Sequence, residues 1–192
     1  MNWLIDYQHD PEMSQEYFFG WRPSYKFLLE IDSPKIVEIG VLEGFLTNQA
    51  LKYLKFGKYY LVDPYKKYTK ADAGDLHLHE QVFWDELYLR TRERFKDREE
   101  IEFIRKTSEE ASKDFADESL DFVYIDADHT YKGIWKDLNC WYPKLKKGCL
   151  IAGHDIHEVP VQSAVFRFFC EVCKDQEGIV DWQYNDWWFK KI

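Results

Sequence analysis

Asp126, Asp128 and His129 stand together in the stretch DFVYIDADHTY, which runs from Asp121 to Tyr131. Carboxylates accept hydrogen bonds, and an imidazole with an ordinary pKa near ~6.5 exchanges protons around neutral pH. The residues just before them, Phe122 to Ile125, are apolar and rich in β-branched and aromatic types, as a buried strand should be. A strand directed into a core thus ends by delivering two carboxylates and an imidazole to one spot. Other apolar runs end in the same way. The turn Gly40 to Gly44 follows Lys35 to Ile39, Asp63 closes Tyr59 to Val62, and His154-Asp155 follows Cys149 to Ala152.

These runs alternate with helical patterns. A helix over Phe45 to Leu54 follows the first strand, with Leu46, Ala50, Leu51 and Leu54 on one face. Ile101 to Ile104 is a strand, and Ser108 to Phe115 a short helix after it. A helix through Ile134, Leu138 and Trp141 stops near Pro143, and Val161 to Val172 is another. Ile179 to Tyr184 and Trp187 to Lys191, joined by Asn185-Asp186, form a closing antiparallel hairpin. Strand–helix alternation predicts an α/β three-layer sandwich. Its sheet is mostly parallel and seven-stranded, and the strand C-termini converge on one ligand edge.

No repeat or Pro/Gly-rich linker divides the chain, so residues 1–192 read as a single domain, with a helical N-terminal segment over 1–34. Tyr65 to Arg94 is an insertion between the second and third strands. Its latter part is amphipathic and helical, and its first part has the composition of a mobile lid. His77 and His79 within it read as surface residues rather than as a metal site.

The chain carries 35 Asp+Glu against 26 Lys+Arg, a formal charge of −9, which argues against nucleic acid as the main partner. No signal peptide pattern opens the chain and no apolar run approaches the ~20 residues of a membrane span. The expectation is a cytoplasmic protein with reduced cysteines. Cys170-x-x-Cys173 lies in an amphipathic helical pattern without a second pair to complete a zinc site. The tryptophans, Trp84, Trp135, Trp141, Trp187 and Trp188, serve the core and a homodimer surface.

The turn Glu38-x-Gly40-x-x-x-Gly44 lets backbone approach a ligand closely. It departs from a dinucleotide fingerprint, because Leu42 and Phe45 replace the second and third glycines. Glu38 would also repel a pyrophosphate, so the turn suits a cationic or neutral ligand. Asp63 fits a carboxylate that chelates ribose hydroxyls, and Asp-Pro is equally an ordinary turn opener.

In VEIGVLEG, LVDPY and RKTSEEA the chain resembles class I S-adenosylmethionine-dependent methyltransferases, whose fold is Rossmann-like. DFVYIDADHTYKGIWKDLNCWYPKLKKGCLIAGHDI resembles a narrower subgroup, the macrocin-type small-molecule O-methyltransferases. The resemblance covers about Lys35 to Ile192. It implies that Glu38, Gly40 and Gly44 line the methionine end of S-adenosylmethionine, that Asp63 holds the ribose, and that Thr107 and Ser108 flank the adenine. It places Asp126 beside the cofactor and makes Asp126, His154 and Asp155 ligands of a divalent metal. It also implies His129 as the general base. His154 stands where the subgroup carries a carboxylate, and imidazole suits Mn²⁺, Fe²⁺ or Zn²⁺ better than Mg²⁺.

Methyl transfer is an in-line displacement on a sulfonium, so the protein must orient the acceptor and remove its proton. A hydroxyl is a poor nucleophile at neutral pH. A metal can lower its pKa while a histidine accepts the proton. The implied activity is methylation of a small-molecule hydroxyl, such as a sugar's. An NAD(P)-binding oxidoreductase and a cofactor-binding module without catalysis are the alternatives. Asp128 reads equally as a cap for the helix beginning near Thr130. His157 reads as solvent-facing and Tyr131 as packing.

Overall fold

The structure is a computed structural model that describes residues 13–67, 78–173 and 181–192. The chain opens with helix α1 (Gln15–Trp21) and a 3-10 helix (Pro23–Glu30). Then follow β1 (Lys35–Ile39), α2 (Phe45–Tyr53), β2 (Lys58–Val62), α3 (Gln81–Arg94), β3 (Ile101–Ile104) and α4 (Ser108–Ser112). The second half holds β4 (Leu120–Ile125), α5 (Tyr131–Trp141), a 3-10 turn (Tyr142–Lys144), β5 (Leu145–Gly153), α6 (Val159–Val172), β6 (Asp181–Gln183) and β7 (Asp186–Lys190).

The seven strands form one sheet in the order β3-β2-β1-β4-β5-β7-β6. The first five are mutually parallel, while β7 runs antiparallel to β5 and β6 antiparallel to β7. Strand order reverses between β1 and β4, so their C-terminal ends flank the crevice where open α/β sheets bind ligands.

β4 shows why the sheet has helices on both faces. All six of its residues are buried, as in a central parallel strand covered twice. Val123 and Ile125 pack with Ile134, Leu138 and Trp141 of α5 and with Val165 and Phe168 of α6. Phe122 and Tyr124 point the other way, into Phe18 of α1, Tyr25 of the 3-10 helix and Leu46 and Ala50 of α2. Trp84, Trp141 and Trp187 are fully buried, so these three belong to the core.

The hairpin differs from the sequence reading. Tyr184 and Asn185 form its turn with positive φ, and Asp186 belongs to β7, where it is completely buried. A polar residue beside an Asn looks like turn chemistry in sequence. Here Asp186 faces inward because its partners lie in the core. β5 is also longer than its apolar run, since Leu145 to Gly148 continue the strand at its start. The four cysteines are free thiols, with Cys170 exposed and Cys173 buried. Among the described residues no helix is long and apolar enough to cross a membrane.

Candidate active site

The turn after β1 has an unusual backbone. Gly40, Leu42 and Gly44 have φ of 85°, 50° and 73°, three left-handed residues within five. A Cβ on Gly40 would lie 2.0 Å from the carbonyl oxygen of Asp126, because the ends of β1 and β4 are clasped there. The Asp126 N–H donates to the Ile39 carbonyl at 2.8 Å, and the Gly40 N–H donates to Val62 at 2.9 Å. Gly44 caps α2, and its missing side chain makes room for the ring of Phe95, 2.6 Å from where a Cβ would stand.

Asp63 stabilises this turn. One carboxylate oxygen accepts the N–H groups of Val41 and Leu42, both at 3.0 Å, and the other accepts that of Tyr65 at 2.8 Å. Burial pushes its pKa up, opposed by these three backbone donors. Three of about four acceptor positions are thus occupied within the chain. Tyr65 and Thr91 of α3 both donate to the carbonyl of Leu42, so the insertion helix braces the turn from outside. His79 stacks on Phe83 at 3.9 Å, while His77 and the first part of the insertion from residue 68 lie outside the described residues.

Glu38 lies beneath the turn, 1% exposed. It accepts from Thr47 at 2.8 Å and from Tyr59 at 2.5 Å, and the Tyr59 hydroxyl also meets that of Tyr25 at 3.1 Å. Burial raises its pKa to about 7, with the Asp126 carboxylate adding to the rise. It is a buried carboxyl held by hydroxyls.

The acidic and imidazole residues meet at the ends of β4 and β5, which pair in register through Ile125 and Gly153. His129 Nε2 is 3.1 Å from Asp155 Oδ2 and 3.6 Å from Asp126 Oδ1, and its Nδ1 is 3.7 Å from Glu158. His154 Nδ1 lies 3.0 Å from Asp155 Oδ1. The Asp126 carboxylate, helped by Asp155 and Glu158, raises the pKa of His129 to about 9 against the opposing effect of partial burial. Burial pushes the Asp155 carboxyl up, but its bond to His154 and the charges of His154, His129 and His157 outweigh this and hold it below the usual range. Asp155 itself has φ 59°. Two sets place their ligand atoms within 4.8 Å of one another, Asp126 with His154 and Asp155, and His129 with Asp155 and Glu158. Atoms so spaced can share one divalent ion at the usual ~2.0–2.6 Å.

The remaining sequence candidates have local partners. Asp128 accepts from the N–H of Thr130 at 2.8 Å, and Thr130 is the N-cap of α5, accepting from Gly133. Thr107 caps α4 in a reciprocal box with Glu110. Ser108 donates to Asp137 at 2.5 Å and accepts from Trp141 at 2.8 Å, tying α4 to α5. Burial lifts Asp137 to about 7. His157 is exposed, 3.9 Å from Asp155.

Sequence reasoning missed Arg22, Asp186 and Glu158. Arg22 Nη1 lies 3.4 Å from Asp186, and Asp186 also accepts from Tyr124 at 2.8 Å and Ser24 at 3.4 Å. Burial lifts Asp186 to about 7. Neither Arg22 nor Asp186 sits in a motif, and only the folded sheet brings them together. Glu158 could have been suspected from its place four residues after His154.

Comparison with known proteins agrees with this architecture. A family described as "Methyltransferase domain" matches residues 37–156. The solved O-methyltransferase NovP is 16% identical, with 91% of this chain and 78% of that one aligned and a TM-score of 0.62. SMU.1697c of Streptococcus mutans, solved with S-adenosylhomocysteine, is 14% identical over 94% of this chain and 100% of its own, again with a TM-score of 0.62. An uncharacterized protein of Sinorhizobium fredii, y4gI, is 30% identical over 69 residues, 36% of this chain and 8% of that relative's length. An oxidoreductase on this sheet is not favoured. With the match running from β1 to the turn beyond β5, the chain belongs to the methyltransferase-domain family, and its fold is the one these solved methyltransferases share.

Proposed function

We propose that the protein methylates a hydroxyl group of a small molecule, with His129 as the base that takes the hydroxyl proton. The observation that carries this is the position of His129, half-exposed at the ligand edge and within 3.1–3.6 Å of the carboxylates of Asp155 and Asp126. Those carboxylates orient the ring and, as they stand, also keep it protonated, so His129 acts as a base only once they are engaged elsewhere. S-adenosylmethionine supplies the electrophilic methyl group. Gly40 and Gly44 shape the turn over which it lies, and Asp63 offers its last acceptor position toward the ribose. Asp126 faces the sulfonium side from β4, and Thr107 and Ser108 border the adenine.

Asp126, His154 and Asp155 would hold a divalent cation, since their donor atoms fit around one ion. When bound, such an ion lowers the pKa of a hydroxyl held against it. With both carboxylates engaged, His129 would lose much of what now keeps it protonated and become a competent base near neutral pH.

A cleft of about 550 Å³ lined by Ser14, Glu16, Tyr17, Gly20, Trp21 and Tyr184 supports a small ring-bearing acceptor. One wall of it, Trp21, packs edge-on against Phe45, the first residue of α2 after the glycine turn, with ring centroids 5.7 Å apart. Asn185, next to Tyr184, accepts from the Ile156 N–H at 3.1 Å. The net charge of −9 weighs against RNA. The test is a screen with methyl-labelled cofactor against sugars, phenols, amines and RNA. Label appearing only on RNA or on nitrogen would overturn the reading.

A further inference from the structure

The cofactor of this family is a zwitterion: a sulfonium and an ammonium, but also an α-carboxylate. The ligand edge described above is acidic, with Asp126, Asp155 and Glu158 at or just beyond the ends of β4 and β5. It suits the two cationic centres, and the imidazole on this edge that carries a raised pKa, His129, is already paired with Asp126, Asp155 and Glu158. Among the described residues only two cations are buried, Arg22 and Lys191. Lys191 is committed to the carbonyls of Pro143 and Leu145, at the opposite end of β5.

Arg22 is on the right edge. It follows α1 directly and is 3% exposed. Its guanidinium stacks over Trp21 at 3.6 Å and lies 6.0 Å from the ring of Tyr124, two residues before Asp126. Asp186, its ion-pair partner, precedes Trp187, which pairs with Gly153 at the end of β5. Both of its contacts with oxygen use Nη1, to Trp21 at 3.2 Å and to Asp186 at 3.4 Å. Nε is buried and has no hydrogen-bond partner. A guanidinium has five N–H donors in a planar fork that matches a carboxylate, and buried donors are seldom left unused.

We propose that Arg22 binds the α-carboxylate of the cofactor's methionine moiety through this unused side of its guanidinium. The assignment rests on the reading that the cofactor lies across the glycine turn with its ribose toward Asp63. From the end of β2 to the end of β4 is two strand spacings, about 10 Å, a span that suits the ribose-to-carboxylate reach of the extended cofactor. The junction of α1 with the 3-10 helix around Arg22, where the sequence offered no motif, then borders the cofactor site at its amino-acid end.

Calorimetry on the full chain tests this with two ligands, S-adenosylhomocysteine and its decarboxylated analogue, which keeps the amine and the adenosine. Wild type should prefer the carboxylate-bearing ligand by about 10- to 100-fold, the scale of charge-assisted hydrogen bonds. Arg22→Gln should abolish that preference while the analogue binds as before, and Arg22→Lys should restore part of it. Equal affinity of wild type for the two ligands overturns the assignment without any variant, and so does a preference that survives in Arg22→Gln. Failure of wild type to bind either ligand would instead remove the cofactor reading on which the assignment rests.

Discussion

Replacing Glu38 by Gln should change how stability depends on pH, by an amount the structure sets. Burial, reinforced by the Asp126 carboxylate, raises this carboxyl from its ordinary value near 4.5 to about 7. Between those values the folded protein keeps the proton that the unfolded chain gives up. Glu38 therefore contributes stability that is full below pH 4.5 and lost as pH rises through about 7. The rise corresponds to about 3 kcal/mol. Gln can accept from Thr47 and Tyr59 as Glu38 does, but its amide brings donors with no partner in this pocket, costing about 1–2 kcal/mol. The variant should accordingly be less stable than wild type at pH 5 and should lose that deficit, or reverse it, by pH 8. Asp137 and Asp186, also raised to about 7 by burial, remain in both proteins and cancel from the difference. Urea unfolding at pH 5, 6, 7 and 8 without divalent cations gives the two curves. If they run parallel within about 0.5 kcal/mol, Glu38 is ionised throughout and the reasoning from its burial is wrong.

Gly40→Ala should destabilise the fold by more than the ~1–3 kcal/mol of a left-handed non-glycine residue, because its Cβ also meets the Asp126 carbonyl; thermal unfolding reads this directly. His129 should titrate near pH 9 by NMR in the absence of divalent cations, and Asp126→Asn should bring it down toward its ordinary value. His129→Asn should lower methyl transfer by about 10²–10⁴-fold while leaving S-adenosylhomocysteine affinity unchanged, as calorimetry can show. Adding Mn²⁺ should move the alkaline rise in rate to lower pH, and a chelator should suppress transfer without affecting cofactor binding; a rate indifferent to both would exclude the cation site.

The strand–helix alternation was legible in the sequence because each parallel strand is an apolar run bounded by polar residues, a pattern set by local burial. β1 and β3 match their apolar runs residue for residue, and Asp126, His129, His154 and Asp155 are adjacent to strand ends by chain order alone. Their convergence followed from the topology rule for parallel sheets. What each carboxylate does was not legible, since it depends on partners distant in sequence. Asp63 reads as a ligand holder but clamps the backbone of Val41 and Leu42, more than twenty residues earlier. Gly40 reads as an opening for a ligand, yet its first neighbour is the carbonyl of Asp126. Asp186 reads as a turn residue and is a buried anion, because Arg22 and Tyr124, 164 and 62 positions away, reach it only once β7 pairs with β5. Local pattern records which residues avoid water. Which buried charges face each other is decided by the packing of the sheet, and tertiary structure alone supplies that.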